Sequence, residues 1–133
     1  MAKRKILVVD DDKDLIRALR LRLRANNYDI ATAGDGYSAI ATAQKEHPDL
    51  IILDLGLPAG DGFVVLERLQ KSDSLSGVPV IVLSARDPQD NEARALKAGA
   101  AAFFQKPADN DELLNVIRVS LPAAEHAAAA RPS

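Results

Sequence analysis

The chain has 133 residues, of which 47% are hydrophobic and 27% charged, with a formal net charge of −2 and no cysteine. This is one domain's worth of sequence with ample material for a core; the interspersed charges leave no basic footprint for nucleic acid or an anionic membrane, and disulfides, thiolate chemistry and Cys-based zinc sites are excluded. After a basic start, the apolar run "ILVV" spans only four residues before the first acid, too short for a signal peptide or a membrane span, so a cytoplasmic protein is expected.

Five short apolar segments alternate with five amphipathic ones. "KILVV" (5–9) predicts the first strand and runs into Asp10, Asp11 and Asp12. A helix is predicted over 13–26, because Leu15, Ile16, Leu19 and Leu23 recur at helical spacing while Arg17, Arg20 and Arg24 fall on a solvated face. "YDIAT" (28–32) is the second strand, and the helix over 36–46 ends before "HPD", where Pro48 disfavours helix at His47. "DLIIL" (49–53) is the third strand and leads into Asp54; the helix over 61–71 turns Phe63, Leu66 and Leu69 inward. "VPVIVL" (78–83) is the fourth strand and leads into Ser84, and the helix over 88–98 stops at Gly99. "AAFFQ" (101–105) is the fifth strand and leads toward Lys106; the last helix, 109–121, starts on Asp109 as N-cap and ends before Pro122.

The alternation predicts an α/β fold, a doubly wound, five-stranded parallel sheet formed by one domain over residues 1–122. The first, third and fourth strands are almost wholly apolar, as strands covered on both faces are, and are expected at the centre. Residues 123–133 are Ala-rich without an apolar stripe and are expected to be a tail or truncated linker.

Ligands of open parallel sheets collect outside the carboxyl ends of the strands. That rule brings Asp10, Asp11, Asp12, Asp54, Ser84 and Lys106 to one rim. Crowded carboxylates raise the cost of ionising one another, and a hard cation relieves it; Mg²⁺ takes one or two carboxylates together with a phosphate. Beside such a cation Asp54 can attack a phosphoryl group and form an acyl phosphate, with Lys106 and Ser84 as cation and hydrogen-bond donor. Each residue alone has a plainer reading, as a helix cap, a turn residue or a solvated lysine. Their coincidence at four strand ends favours the functional one.

Together "ILVVDDD", "PDLIILDLGLPAGDGF", "VPVIVLSA" and "AGAAAFFQKP" resemble the receiver domain of bacterial response regulators, the phosphoacceptor half of two-component systems, of the chemotaxis-receiver-like kind. The resemblance runs from Lys5 to about Leu121 without gaps. It implies the flavodoxin-like (βα)5 strand order 2-1-3-4-5, for which chemotaxis receivers are themselves a standing example. It further implies that Asp11 ligates Mg²⁺ (or Mn²⁺) directly and Asp10 largely through water, that the Gly56 carbonyl is another ligand, and that Asp54 is the phosphoacceptor. Asp12 falls outside the pair and caps the first helix. Ser84 and Phe103 would be the switch residues, Lys106 would pair with the phosphoryl group, and Lys106–Pro107 would be cis. Phe103 and Phe104 also read simply as strand residues on opposite faces, of which one alone can lie on the switch side.

The implied function is a phosphorylation-controlled signalling switch rather than an enzyme. A histidine kinase or phosphotransfer protein, or a small phosphodonor, would phosphorylate Asp54, and a downstream protein or fused output domain would read the altered surface of the fourth helix, fifth strand and fifth helix. No direct nucleic-acid or membrane contact is expected, and the chain is either a stand-alone receiver or part of a longer regulator or hybrid kinase. Gly56 and Arg86 are expected to flank the approach of water to Asp54, and Ala108 after Lys-Pro leaves that output surface less apolar. The alternative reading is a phosphohydrolase or phosphotransferase with an Asp nucleophile; "DLGLP" lacks the nearby second acid such enzymes use. A partner-binding domain that is never phosphorylated is disfavoured by the intact site.

Overall fold

The computed structural model describes residues 3–58 and 61–121. The expected boundary at 122 and the tail at 123–133 lie outside the described residues. Strands β1 (Arg4–Val9), β2 (Tyr28–Ala33), β3 (Leu50–Leu53), β4 (Val80–Ser84) and β5 (Ala102–Gln105) alternate with helices α1 (Lys13–Ala25), α2 (Gly36–Glu46), α3 (Gly62–Lys71), α4 (Pro88–Lys97) and α5 (Asn110–Ser120). The strands form one parallel sheet in the order β2-β1-β3-β4-β5. The three apolar strands are therefore the central ones, as their composition required.

Alternation along each strand sends successive side chains to opposite faces and builds two cores. Leu7, Val9, Ile51, Leu53, Val80 and Val82 pack with Ala39 and Ala43 of α2, Phe63, Leu66 and Leu69 of α3 and Ala95 of α4. Ile6, Val8, Leu50, Ile52, Ile81 and Leu83 pack with Leu19 and Leu23 of α1 and Leu113 and Ile117 of α5. Burying each such Leu, Ile, Val or Phe contributes about 1.5–3 kcal/mol, which makes these two layers the main source of stability.

Each helix among the described residues begins on an aspartate. Asp12, Asp35, Asp61, Asp87 and Asp109 adopt extended backbone and accept main-chain N–H groups from the first turns of α1 to α5. Each cap answers donors that the helix leaves unpaired and contributes about 1 kcal/mol. Because each helix follows the carboxyl end of a strand, all five caps stand at one edge of the sheet, the edge that carries the site.

Element bounds follow the sequence reading to within two residues. β4 begins at Val80 rather than at Val78, because the Val78 N–H is spent on the Leu75 carbonyl at 3.0 Å in the preceding turn. α2 ends as His47 turns left-handed, with φ 50°, and donates to the Ala43 carbonyl. Gly99 follows α4 with φ 110°, and a Cβ there would stand 2.6 Å from the Gln70 side chain, so glycine is required. The solvated arginine face holds for Arg17 and Arg24; Arg20 is instead half-buried, its Nε enclosed and unpartnered among the described residues. No helix among the described residues is long and apolar enough to cross a membrane.

Candidate functional site

β1 and β3 lie side by side with Val9 opposite Leu53. The residues that follow them, Asp10 and Asp54, are thereby carried to adjacent places at the sheet edge. Asp10 is fixed by its N–H to the Ala33 carbonyl at 3.0 Å and Asp54 by its N–H to the Val9 carbonyl at 2.9 Å. Both are buried, at 2% and 7% exposure. Asp10 Oδ1 accepts the Asp12 N–H at 2.9 Å, and Asp54 Oδ1 accepts the Gly56 N–H at 3.2 Å.

Lys106 completes the group from the far side of the sheet. Its N–H donates to the Ser84 carbonyl at 2.8 Å, which ties the end of β5 to the end of β4. Its Nζ then lies 2.7 Å from Asp10 Oδ2 and 3.6 Å from Asp54 Oδ2. The Lys106–Pro107 bond is cis, as the resemblance implied.

Burial holds the Asp10 carboxyl above its ordinary range, against the hydrogen bonds from Lys106 and the Asp12 N–H, which pull the other way. For Lys106 burial acts downward, but the hydrogen bond to Asp10 and the charges of Asp10 and Asp54 outweigh it, and the ammonium is held above its ordinary value. A buried carboxylate shifted by desolvation beside a specific charge partner marks a candidate functional site.

Exposed Asp11 joins the two buried acids. Asp10, Asp11 and Asp54 each offer a carboxylate oxygen, all within 4.8 Å of one another. Three oxygen donors without sulfur or imidazole fit a hard divalent cation such as Mg²⁺ or Mn²⁺. Asp12 stands apart, its Oδ1 accepting the Asp14 and Leu15 N–H groups at 3.0 and 3.2 Å, so it serves α1. A shallow groove lined by Asp10, Asp11, Lys13, Ile16, Thr32 and Gly34 runs alongside the acids.

Ser84 is fully buried, and its Oγ accepts the Arg86 N–H at 3.1 Å. Phe103 pairs in register with Val82 and packs on the core beneath α2, α3 and α4, whereas Phe104 packs on the α1 and α5 side. Alternation places Ser84 on the same face as Val82, hence on the face of Phe103. Gly56 is exposed, and a Cβ there would meet only the two Asp54 carboxylate oxygens, at 4.0 Å, so position 56 leaves the approach to Asp54 open.

The sequence reading missed a second cluster beside these residues. Arg86 Nη1 lies 4.0 Å from Asp61 Oδ1, and the Arg94 guanidinium covers the buried Phe63 ring at 3.7 Å from its centroid. An Asp-Gly pair opening α3 marks Asp61 as a cap. Nothing in the local pattern marks its partner.

A family model for the response regulator receiver domain matches residues 6–118. The transcriptional regulatory protein KdpE of Mycobacterium tuberculosis is 40% identical over 116 residues, 87% of this chain and 50% of its own length. Response regulator PleD of Caulobacter vibrioides is 37% identical over 114 residues, 86% of this chain and 25% of its own length. The chain thus spans about a quarter to a half of these relatives. The receiver domain of a sensor histidine kinase of Pseudomonas aeruginosa, solved with a magnesium ion coordinated in its active site cleft, superposes with a TM-score of 0.81 at 27% identity, covering 89% of this chain and 97% of that one. The chain belongs to the response regulator receiver domain family.

Proposed function

We propose that the protein is a phosphorylation-controlled switch in which Asp54 accepts a phosphoryl group from a histidine kinase, a phosphotransfer protein or a small phosphodonor. The observation that carries this reading is the site around Asp54: a buried carboxylate with an open approach over Gly56, a lysine ammonium at 3.6 Å and two further acids within 4.8 Å. Phosphoryl transfer asks a protein mainly for position and charge neutralisation, and this site offers both.

Asp54 attacks phosphorus with a carboxylate oxygen; the new P–O bond forms as the bond to the donor breaks, and its electron pair leaves with the donor group. Asp10, Asp11 and Asp54, with the Gly56 carbonyl, would hold Mg²⁺ or Mn²⁺, which when bound neutralises charge on the transferring group. Lys106, already paired with Asp10, turns its remaining donors to the phosphoryl oxygens. The reaction is its own phosphorylation and later dephosphorylation, so the domain is a phosphoacceptor and not an enzyme acting on others.

The acyl phosphate adds negative charge and acceptor oxygens beside Ser84. A Ser84 hydroxyl drawn to them opens room on the face it shares with Phe103, which moves inward. The surface of α4, β5 and α5 changes, and a downstream protein or fused output domain reads it. The switch rests on differential contacts in the two states. We place it in the cytoplasm, where such kinases transfer phosphoryl groups.

Incubation with acetyl phosphate and Mg²⁺ tests the reading. An acid-stable, alkali-labile phosphoryl label should appear on the parent chain and be lost in Asp54→Asn; label retained on that variant would sink the assignment. Turnover of a phosphate monoester would favour the phosphohydrolase reading instead.

A further inference from the structure

We propose that Asp61 is a positioning residue that withholds the Arg86 guanidinium from the phosphoryl group on Asp54, so that their ion pair sets how long the acyl phosphate lasts. This rests on the function proposed above and concerns the regulation of that same site.

Arg86 is anchored at the rim, since its N–H donates to Ser84 Oγ at 3.1 Å. Its side chain is directed to the β3–α3 loop, with Nη1 4.0 Å from Asp61 Oδ1 and the guanidinium carbon 5.9 Å from the centre of the Phe63 ring. The acceptor end of this pair is fixed. Asp61 Oδ1 also takes the Phe63 N–H at 2.9 Å as the cap of α3, and Phe63 is 1% exposed beneath Arg94. The donor end is reached by solvent, the Arg86 side chain being 37% exposed.

Lys106 is already paired with Asp10 and Asp54, and position 56 carries no side chain to cover the carboxylate. Arg86 is a further cation near this rim, and its partner is Asp61 rather than Asp10 or Asp54. A phosphoryl group carries more charge than one carboxylate and matches the guanidinium fork with two oxygens. A half-exposed pair such as Asp61–Arg86 is weak, so it biases the arginine without trapping it.

Hydrolysis forms a bond from water oxygen to phosphorus and breaks the bond to Asp54, whose oxygen keeps the electron pair; the water protons pass to phosphate and solvent. An arginine laid on the phosphoryl oxygens stabilises the acyl phosphate and occupies the side from which water enters. Held by Asp61, it leaves that side open.

The test compares phosphoryl half-lives of the parent, Asp61→Asn, Arg86→Ala and the double variant, each loaded with acetyl phosphate and Mg²⁺ and followed on phosphate-affinity gels. Asparagine keeps the cap of α3, so the fold is retained, and matching melting temperatures check this. Asp61→Asn should lengthen the half-life about two- to fivefold, the range open to a partly exposed ion pair. Arg86→Ala alone should change it little, and in the double variant the effect of Asp61→Asn should vanish. An unchanged half-life in Asp61→Asn, or the same lengthening with and without Arg86, overturns the proposal. A parent chain that takes no label on Asp54 overturns the function itself, a distinct result.

Discussion

Lys106 Nζ stands 2.7 Å from Asp10 Oδ2, joining the segment after β5 to the end of β1 across a sequence separation of 96 residues. The lysine is one-fifth exposed and Asp10 almost wholly enclosed, and Asp54 shares the same ammonium at 3.6 Å. The positive charge that three adjacent acids call for is thus met in part by the chain itself. Removing it by Lys106→Met leaves two buried carboxylates facing each other and should cost roughly 1–3 kcal/mol in urea unfolding without divalent cation. Added Mg²⁺ should restore part of that loss. An unchanged midpoint would show that the contact carries no net energy.

Asp11 and Asp12 are neighbours with separate duties. Asp11→Ala removes an oxygen from the cluster within 4.8 Å and should weaken Mn²⁺ binding by about tenfold or more in calorimetric titration. Asp12→Ala removes the α1 cap and should cost about 1 kcal/mol of stability while leaving the metal affinity within a factor of about two. Equal losses of affinity in the two variants would contradict the division.

Two glycines flanking Asp54 should respond in opposite ways. A Cβ on Gly62 would lie 2.4 Å from Leu55 Cα and 2.6 Å from the Asp54 carbonyl, both main-chain atoms that cannot yield, so Gly62→Ala should cost about 2 kcal/mol or more and displace the end of β3. A Cβ on Gly56 meets only the Asp54 oxygens, at 4.0 Å, in ordinary contact, so Gly56→Met should leave stability within about 0.5 kcal/mol. The substitution should lengthen the phosphoryl half-life by standing in the path of water. An unchanged half-life would show that water enters elsewhere.

Away from the site, Lys5 and Glu46 are joined at 2.9 Å. The hydrogen bond to Lys5 lowers Glu46 from its ordinary 4.5, and the hydrogen bond to Glu46 raises Lys5 from its ordinary 10.5. The carboxylate's share of stability is therefore present above pH 4.5 and lost as pH falls through the lower folded value. The ammonium's share is present below pH 10.5 and lost as pH rises through the higher folded value. The difference in urea midpoint between the parent and Glu46→Gln should be flat between about pH 5 and pH 10 and close at both ends. A difference that grows toward either extreme would contradict the linkage.

The site was legible in the sequence because its residues follow the strands directly. Asp10, Asp54 and Ser84 end apolar runs, so once the runs are taken as parallel strands a single edge collects them. Alternation allows only one of Phe103 and Phe104 on the face of Ser84, and the family resemblance, with the spacing from Ser84 and Lys106, singled out Phe103. The Asp61–Arg86 pair and the Arg94–Phe63 stack were not legible, because they join separate loops and helices whose relative paths no local pattern encodes. Arg20 reads as a solvated residue by spacing and is half-buried in the fold. The close approach of Gly62 to the β3 backbone likewise appears only when α3 is set against the strand. The pairing of Lys106 with Asp10 was missed because crowded acids point first to a metal ion, and the lysine to the phosphoryl group.

The most direct test of the account is to find where the phosphoryl group sits. The parent chain, loaded with acetyl phosphate and Mg²⁺, is reduced with tritiated borohydride, which converts an aspartyl phosphate to labelled homoserine, and the label is mapped by peptide sequencing. The account predicts tritium at position 54 and none in Asp54→Asn; tritium at another residue, or equal labelling of the variant, would contradict it.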